Sequence, residues 1–209
     1  TPVTILKGQL SGMLDGVDVY QDREKYLARS LQVTARMENL IQEILTISRV
    51  EAHGGAFVQE LVDISEIAKR QLELDTDLIQ QKNLRVTVDL CPGLTVKGEP
   101  SMLAKAIGNL ISNAALYSPE GGEIRIWSGL QQDTPALTIE NTGVHIGTEA
   151  LPHLFEAFYR EEQSRNRRTG GSGLGLYLVR IILEQHRANC RIENTENGVQ
   201  ATVSFNPPK

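Results

Sequence analysis

The sequence predicts an α+β chain: an N-terminal helical hairpin, half of a four-helix bundle, followed by an α/β sandwich with one mixed sheet and helices on a face. Three observations carry this. Residues 1 to about 52 place apolar side chains at spacings of three and four, the mark of amphipathic helices. After the break at His53-Gly54-Gly55-Ala56, period-two and helical stretches follow one another. Their order is not a regular βαβ repeat, which disfavours a Rossmann fold. The hairpin is expected over residues 1–53 and the sandwich over residues 57–209.

The elements follow in order. Val3, Leu6, Leu10 and Met13 define a first helix, with Pro2 suited to its first turn. Gly16 and the polar stretch through Asp22 end it. Leu27, Leu31, Thr34, Met37, Ile41, Ile44 and Ser48 sustain a heptad in a second. Two such helices cannot bury both seams alone, so the hairpin either pairs with a second copy or packs on its own domain. Val58–Ile64 reads as a strand, and Ser65 to about Gln81 as one helix with Ser65 as N-cap. Leu84–Leu90 and Leu94–Lys97 are strands. Pro100–Leu116 is a helix with Met102, Leu103, Ala106, Ile107, Leu110 and Ile111 on one face. Gly122–Gly129 and Ala136–Glu140 are strands, and residues 141 to 171 are a long polar segment with few apolar islands. Gly173–His186 is a glycine-started helix. Cys190–Asn194 and Val199–Phe205 close as a hairpin around Glu196-Asn197-Gly198.

Composition narrows the function classes. The chain has 209 residues, 40% hydrophobic and 22% charged, an ordinary balance for one large domain or one domain with a smaller companion. One Trp, five Tyr and four Phe leave the core to aliphatic packing. A net charge of −5 argues against a general nucleic-acid partner. No apolar run approaches the ~18 residues of a membrane span, and no signal-peptide pattern is present. An opening Thr1-Pro2 without a start methionine predicts a piece of a longer protein. Cys91 and Cys190 stand apart without metal-ligand spacing and read as ordinary thiols of a reducing compartment.

Four segments carry the chemistry. Thr169-Gly170-Gly171-Ser172-Gly173-Leu174-Gly175-Leu176 leads straight into an apolar helix. Glycines there let the backbone approach something bulky, and the free N–H groups and positive dipole end of the helix favour a phosphate. Asn109 and Asn113, four apart, share one helix face; they read as capping or surface residues, or as hard oxygen ligands for a partly hydrated Mg²⁺. Asn141-Thr142-Gly143 at a strand end reads as an ordinary turn or as a reader of a base edge. Leu154–Arg160 is an aromatic knot in a polar loop, a short core helix or the anchor of a moving segment. Arg160, Arg165, Arg167 and Arg168 follow as a solvated face or a phosphate contact.

In this order and spacing, Asn109/Asn113, Asn141-Thr142-Gly143, Phe155–Arg160 and Gly171–Gly175 resemble the N, G1, F and G2 boxes of sensor histidine kinases. Their ATP-binding domain shares a superfamily with gyrase, Hsp90 and MutL, and the match covers roughly residues 57 to 206. The leading hairpin resembles the dimerisation and phosphoacceptor domain of the same kinases. Residues 1 to about 50 also resemble vancomycin-resistance sensor kinases of the VanS type.

The resemblance implies ATP and Mg²⁺ as cofactors, with Asn113 and Asn109 at the metal. Asn141 would stand in for the usual Asp at the adenine amino group, its oxygen accepting the same hydrogen bond. Tyr117 and Gly143 would lie against the nucleotide. Gly171, Gly173, Leu174 and Gly175 would shape the phosphate end of a lid over about 144–171, with Arg160 approaching the phosphates. Thr1 would orient water in phosphatase turnover. The resemblance also implies a response regulator as partner, a homodimer through the hairpin, and a cytoplasmic location beneath membrane segments lying outside this chain.

Three departures stand out. Leu116 replaces a common basic residue. His145 replaces the second glycine of the G1 box, which predicts a narrower lid entrance. The phosphoaccepting histidine falls just ahead of Thr1 in the family pattern, and none of His53, His145, His153 or His186 has its context. The chain is therefore expected to bind ATP without phosphorylating itself.

The ATPases of the superfamily carry a glutamate at the Asn109 position, and an amide is no general base near neutral pH. Phosphoryl transfer relies on positioning and charge neutralisation instead, which favours a kinase. The alternatives are an ATPase of the Hsp90 or MutL type, or a degenerate dimeric scaffold.

Overall fold

The computed structural model describes residues 2–53, 59–160 and 171–205. The chain divides into two compact units, Thr1–Ser48 and Arg49–Lys209. In the first, helix α1 (Pro2–Leu14) is followed by a 3₁₀ turn at Asp18–Tyr20 and by helix α2 (Arg23–His53), which runs on past the end of the unit. Ser30 Oγ donates to Gln9 Oε1 across the hairpin at 3.0 Å. Many apolar side chains of the hairpin stay exposed, Leu31 at 71% and Ile41 at 53% among them.

In the second unit, strand β1 (Glu60–Asp63) leads into helix α3 (Ile64–Leu74) and a short helix α4 (Thr76–Gln81). Then come strands β2 (Arg85–Leu90) and β3 (Thr95–Gly98), helix α5 (Pro100–Tyr117), and strands β4 (Glu123–Gln131) and β5 (Thr134–Thr142). A 3₁₀ turn at Leu151–His153, helix α6 (Gly175–Gln185) and strands β6 (Ala188–Asn194) and β7 (Gly198–Phe205) complete it. The main sheet has the order β2-β4-β5-β7-β6, parallel only between β2 and β4.

The sandwich and its mixed sheet are as the sequence predicts, with three differences of detail. β1 and β3 pair with each other as a separate antiparallel ribbon instead of joining the sheet. The expected helix over 65–81 breaks at Asp75 into α3 and α4. Its N-cap is Asp63: the carboxylate accepts from the N–H groups of Ser65 and Glu66, and a carboxylate also suits the positive end of the helix. The Ser65 hydroxyl serves elsewhere, donating to Cys91 O at 2.7 Å and lying 2.8 Å from Ser128 Oγ.

β5 joins β4 through Gln132 and Asp133, both with positive φ, as a two-residue hairpin turn requires. The core lies on one face of the sheet. Ile124, Ile126, Leu137 and Ile139 are at most 2% exposed there. Leu103, Ile107 and Ile111 of α5 and Leu178 and Ile182 of α6 are buried with them.

Candidate functional site

Helix α5 is fixed at both ends. Glu99 caps its start, its carboxylate accepting from Ser101 N at 3.2 Å and Met102 N at 2.7 Å, with Pro100 in the first turn. The Glu99 N–H donates to His186 Nε2 at 3.0 Å. The other ring nitrogen lies 2.7 Å from Ile182 O, so His186 carries its hydrogen on Nδ1. At the far end, the Lys82 ammonium donates to Ala115 O, Leu116 O and Ser118 O at 2.9, 2.7 and 2.5 Å. It closes the carbonyl end of the helix, where a cation is favoured. Burial pushes the Lys82 pKa below its ordinary value. Neither Lys82 nor His186 is marked as a positioning residue by any sequence pattern; both act through contacts distant in the chain.

Between these clamps α5 buries Leu103, Ala106, Ile107, Leu110, Ile111, Ala114 and Ala115, and leaves Asn109 and Asn113 half-buried on its other side. Ser112 Oγ donates to Asp75 Oδ2 at 2.7 Å, which ties α5 to the junction between α3 and α4. Burial raises the Asp75 pKa and this hydrogen bond opposes the rise.

Helix α6 lies antiparallel to α5. Its first residue, Gly175, lies beside Asn109: a Cβ there would be in ordinary van der Waals contact with Asn109 Oδ1, at 3.4 Å. The N-cap residue of α6 is Leu174, whose side chain makes no capping bond, and its own N–H donates to Ser172 Oγ at 3.0 Å. The Leu174 side chain is buried in the core and its carbonyl accepts from the Leu178 N–H at 2.8 Å. Gly173 has φ +78°, and a Cβ on it would stand 2.9 Å from the Phe158 backbone. The Phe158 N–H donates to Gly173 O at 2.9 Å. Arg160 Nη1 donates to Gly171 O at 3.0 Å, and a Cβ on Gly171 would be 3.9 Å from Tyr117 Oη. The N, F and G2 segments are thus brought together by the fold. Arg165, Arg167, Arg168 and Thr1 lie outside the described residues.

Asn141 sits opposite Ile124 and Val199 in the sheet, so its side chain shares their face, on the side where α5 packs. It is buried, and its Nδ2 has no hydrogen-bond partner among the described residues. Glu140 faces the other way, 3.7 Å from Arg125 and accepting from Thr195 Oγ1. Gly198 passes so close that any Cβ would collide with Asn141 O. Gly143, with φ +80°, lies against Pro119 and donates its N–H to Asn197 O at 2.8 Å.

His145 turns its Nε2 to Thr195 O at 3.0 Å, and Asn194 bonds both the N–H and the C=O of Ile146 at 2.8 Å. The loop after β5 is thereby tied to the β6–β7 turn.

The residues present fit a nucleotide. Among the described residues a buried carboxamide donor lacks a partner, the N-cap of α6 is a leucine that makes no side-chain cap, and Asn109 lies beside that helix start. Hard oxygen donors of this kind suit a magnesium-bound triphosphate.

Comparison with known proteins agrees. Residues 98–209 match the model of the family described as "Histidine kinase-, DNA gyrase B-, and HSP90-like ATPase". The chain is 35% identical to the sensor protein VanSB of Enterococcus faecalis, over 99% of this chain and 46% of that protein. It is 32% identical to the phosphate regulon sensor protein PhoR of Pseudomonas aeruginosa, over 99% and 47%. It spans about half the length of these relatives. Among solved structures, the histidine kinase AdeS of Acinetobacter baumannii superposes with a TM-score of 0.83 at 26% identity, covering 100% of this chain and 96% of that one. The chain belongs to the histidine kinase-, DNA gyrase B- and HSP90-like ATPase family, and the relatives it matches are named sensor proteins.

Proposed function

We propose that this chain is the ATP-binding and phosphotransfer part of a two-component sensor histidine kinase. The carrying observation is the approach of Gly175 to Asn109, which sets the phosphate-binding helix start beside the amide pair of α5. Asn109 and Asn113 supply oxygen ligands for Mg²⁺. The N-terminus of α6 attracts the phosphates, and Arg160 offsets their charge. Asn141 meets the purine edge, and Tyr117 lies near the glycine run. The bound Mg-ATP supplies a γ-phosphoryl group for a histidine side chain.

The segment over about 144–171 acts as the lid, anchored by the bonds of Phe158 and Arg160 to the glycine run. Residues 1–53 serve as the dimerisation element and residues 57–209 as the catalytic one. The exposed apolar side chains of the hairpin, Leu27 (55%), Leu31 (71%) and Ile44 (50%), support a homodimer. Three of the histidines are otherwise engaged: His186 is buried with both ring nitrogens bonded, and His145 and His153 bond Thr195 O and Glu156 Oε1. The acceptor is a histidine just ahead of Thr1. The phosphate passes from it to an aspartate of a response regulator, and Thr1 orients the water that later hydrolyses that aspartyl phosphate to inorganic phosphate.

Likeness to VanSB supports a role of the vancomycin-resistance type, with membrane segments in the remainder of the protein and this part in the cytoplasm. Among the described residues no helix is long and apolar enough to cross a membrane.

The test is a longer chain carrying the preceding residues, incubated with γ-labelled ATP. An acid-labile, base-stable phosphoprotein is expected. Steady release of inorganic phosphate with no labelled protein would instead indicate an ATPase.

A further inference from the structure

Asn141 is 6% exposed, and its Nδ2 donor is buried with no hydrogen-bond partner among the described residues. Native interiors rarely leave such a group unpaired, so an orphaned donor facing a ligand site points to an acceptor on the ligand. Its surroundings hold it in place. The strand is laddered on both sides, to β4 and β7, and Gly198 leaves no slack against the Asn141 backbone.

We propose that Asn141 gives this site dual purine selectivity, so that it takes 6-oxopurine nucleoside triphosphates as well as ATP. The inference rests on the nucleotide-binding reading above and specifies its substrate class.

A carboxylate at this position can only accept hydrogen bonds. It pairs with a 6-amino group, but sets lone pair against lone pair when the base carries a 6-oxo group. A carboxamide offers an acceptor and two donors and carries no charge. With Oδ1 toward carbon 6 it accepts from the amino group, and Nδ2 can donate to the unprotonated N1 of adenine. A half-turn about χ2 exchanges the two ends, and the side-chain amide torsion is broadly two-fold. Nδ2 then donates to the 6-oxo oxygen, and Oδ1 accepts from the N1–H that a 6-oxopurine carries. In both orientations the buried donor gains its partner.

Inosine triphosphate is the probe, because it changes the 6-substituent and the adjacent N1 proton and adds no 2-amino group. Calorimetric titration of the whole chain with Mg-ATP and Mg-inosine triphosphate should give dissociation constants within about tenfold of each other. A site built for one hydrogen-bonding pattern rejects the mismatched ligand by about 10⁴-fold. Asn141→Asp should widen the preference for ATP over inosine triphosphate by at least about tenfold, with folding of the variant checked by thermal melting. If Asn141→Asp does not fold, the wild-type ratio alone decides.

Tight ATP binding with inosine triphosphate more than about 100-fold weaker would overturn the dual selectivity and leave the nucleotide site standing. An unchanged ratio in a folded Asn141→Asp protein would overturn the role of Asn141. Failure of both nucleotides to bind the wild-type chain would overturn this inference together with the reading on which it rests.

Discussion

Gly173→Ala isolates the contribution of the glycine run. At φ +78° a residue with a side chain is strained by about 1–2 kcal/mol. The new Cβ would also stand 2.9 Å from Cα and C of Phe158, which are backbone atoms and cannot rotate away. The chain must part there and give up the 2.9 Å bond from the Phe158 N–H, worth about 1 kcal/mol. The sum is roughly 2–3 kcal/mol, or about 30- to 150-fold in a binding constant. Without nucleotide the two segments can separate locally and release the strain. With nucleotide bound they must close, so the cost appears in affinity. Titration calorimetry with Mg-ATP, paired with scanning calorimetry of the free chain, reads the two terms apart. The expectation is weakened binding with little change in melting temperature. Wild-type affinity would refute the reasoning, as would a large fall in melting temperature with affinity intact. Gly173→Val, bulkier at the same point, should be worse and should block the lid.

Other expectations follow from the clamps and thiols. Asn113→Ala should abolish measurable Mg-ATP binding; titration at wild-type affinity would end its assignment to the metal. Lys82→Met leaves three carbonyls at the end of α5 without their cation, and urea denaturation should show a loss of about 1–3 kcal/mol. The Asp75 pKa is raised, so its ionisation in the folded state disfavours folding: stability on this account is greatest below pH 3.8 and falls as pH rises through the folded value. Asp75→Asn, which keeps an acceptor for Ser112, should therefore gain more relative to wild type at pH 7 than at pH 4 in urea titrations. Burial pushes the Cys190 thiol up to about 12, whereas Cys91 is exposed. Iodoacetamide at pH 8 should modify Cys91 and spare Cys190 in the native chain, as mass spectrometry of the peptides would report.

Much of this was legible in the sequence because the signals are local. The α5 stripe, the α6 stripe and the period-two strands each declare themselves within a few residues. What escaped depends on distant pairings. The ribbon of β1 and β3 is fixed by register across an intervening stretch of chain, which hydropathy does not encode. Asp63 outcompetes Ser65 as a cap because the Ser65 hydroxyl is taken by Cys91 and Ser128. Four candidate segments were readable, but their convergence was not. Nothing local shows that Gly175 meets Asn109, that Gly198 must be bare for Asn141 to sit where it does, or that Lys82 seals α5.

The bond from Glu99 to His186 has a mechanical consequence. It fastens the tail of α6 to the head of α5, while Gly175 rests on Asn109 at the opposite end. The two rods are held in register like a bolt in its keeper, which opposes a slide of α6 along α5. Motion of the proposed lid would then fall to the glycines upstream of Gly175, at 171 and 173, while the rods behind hold their register.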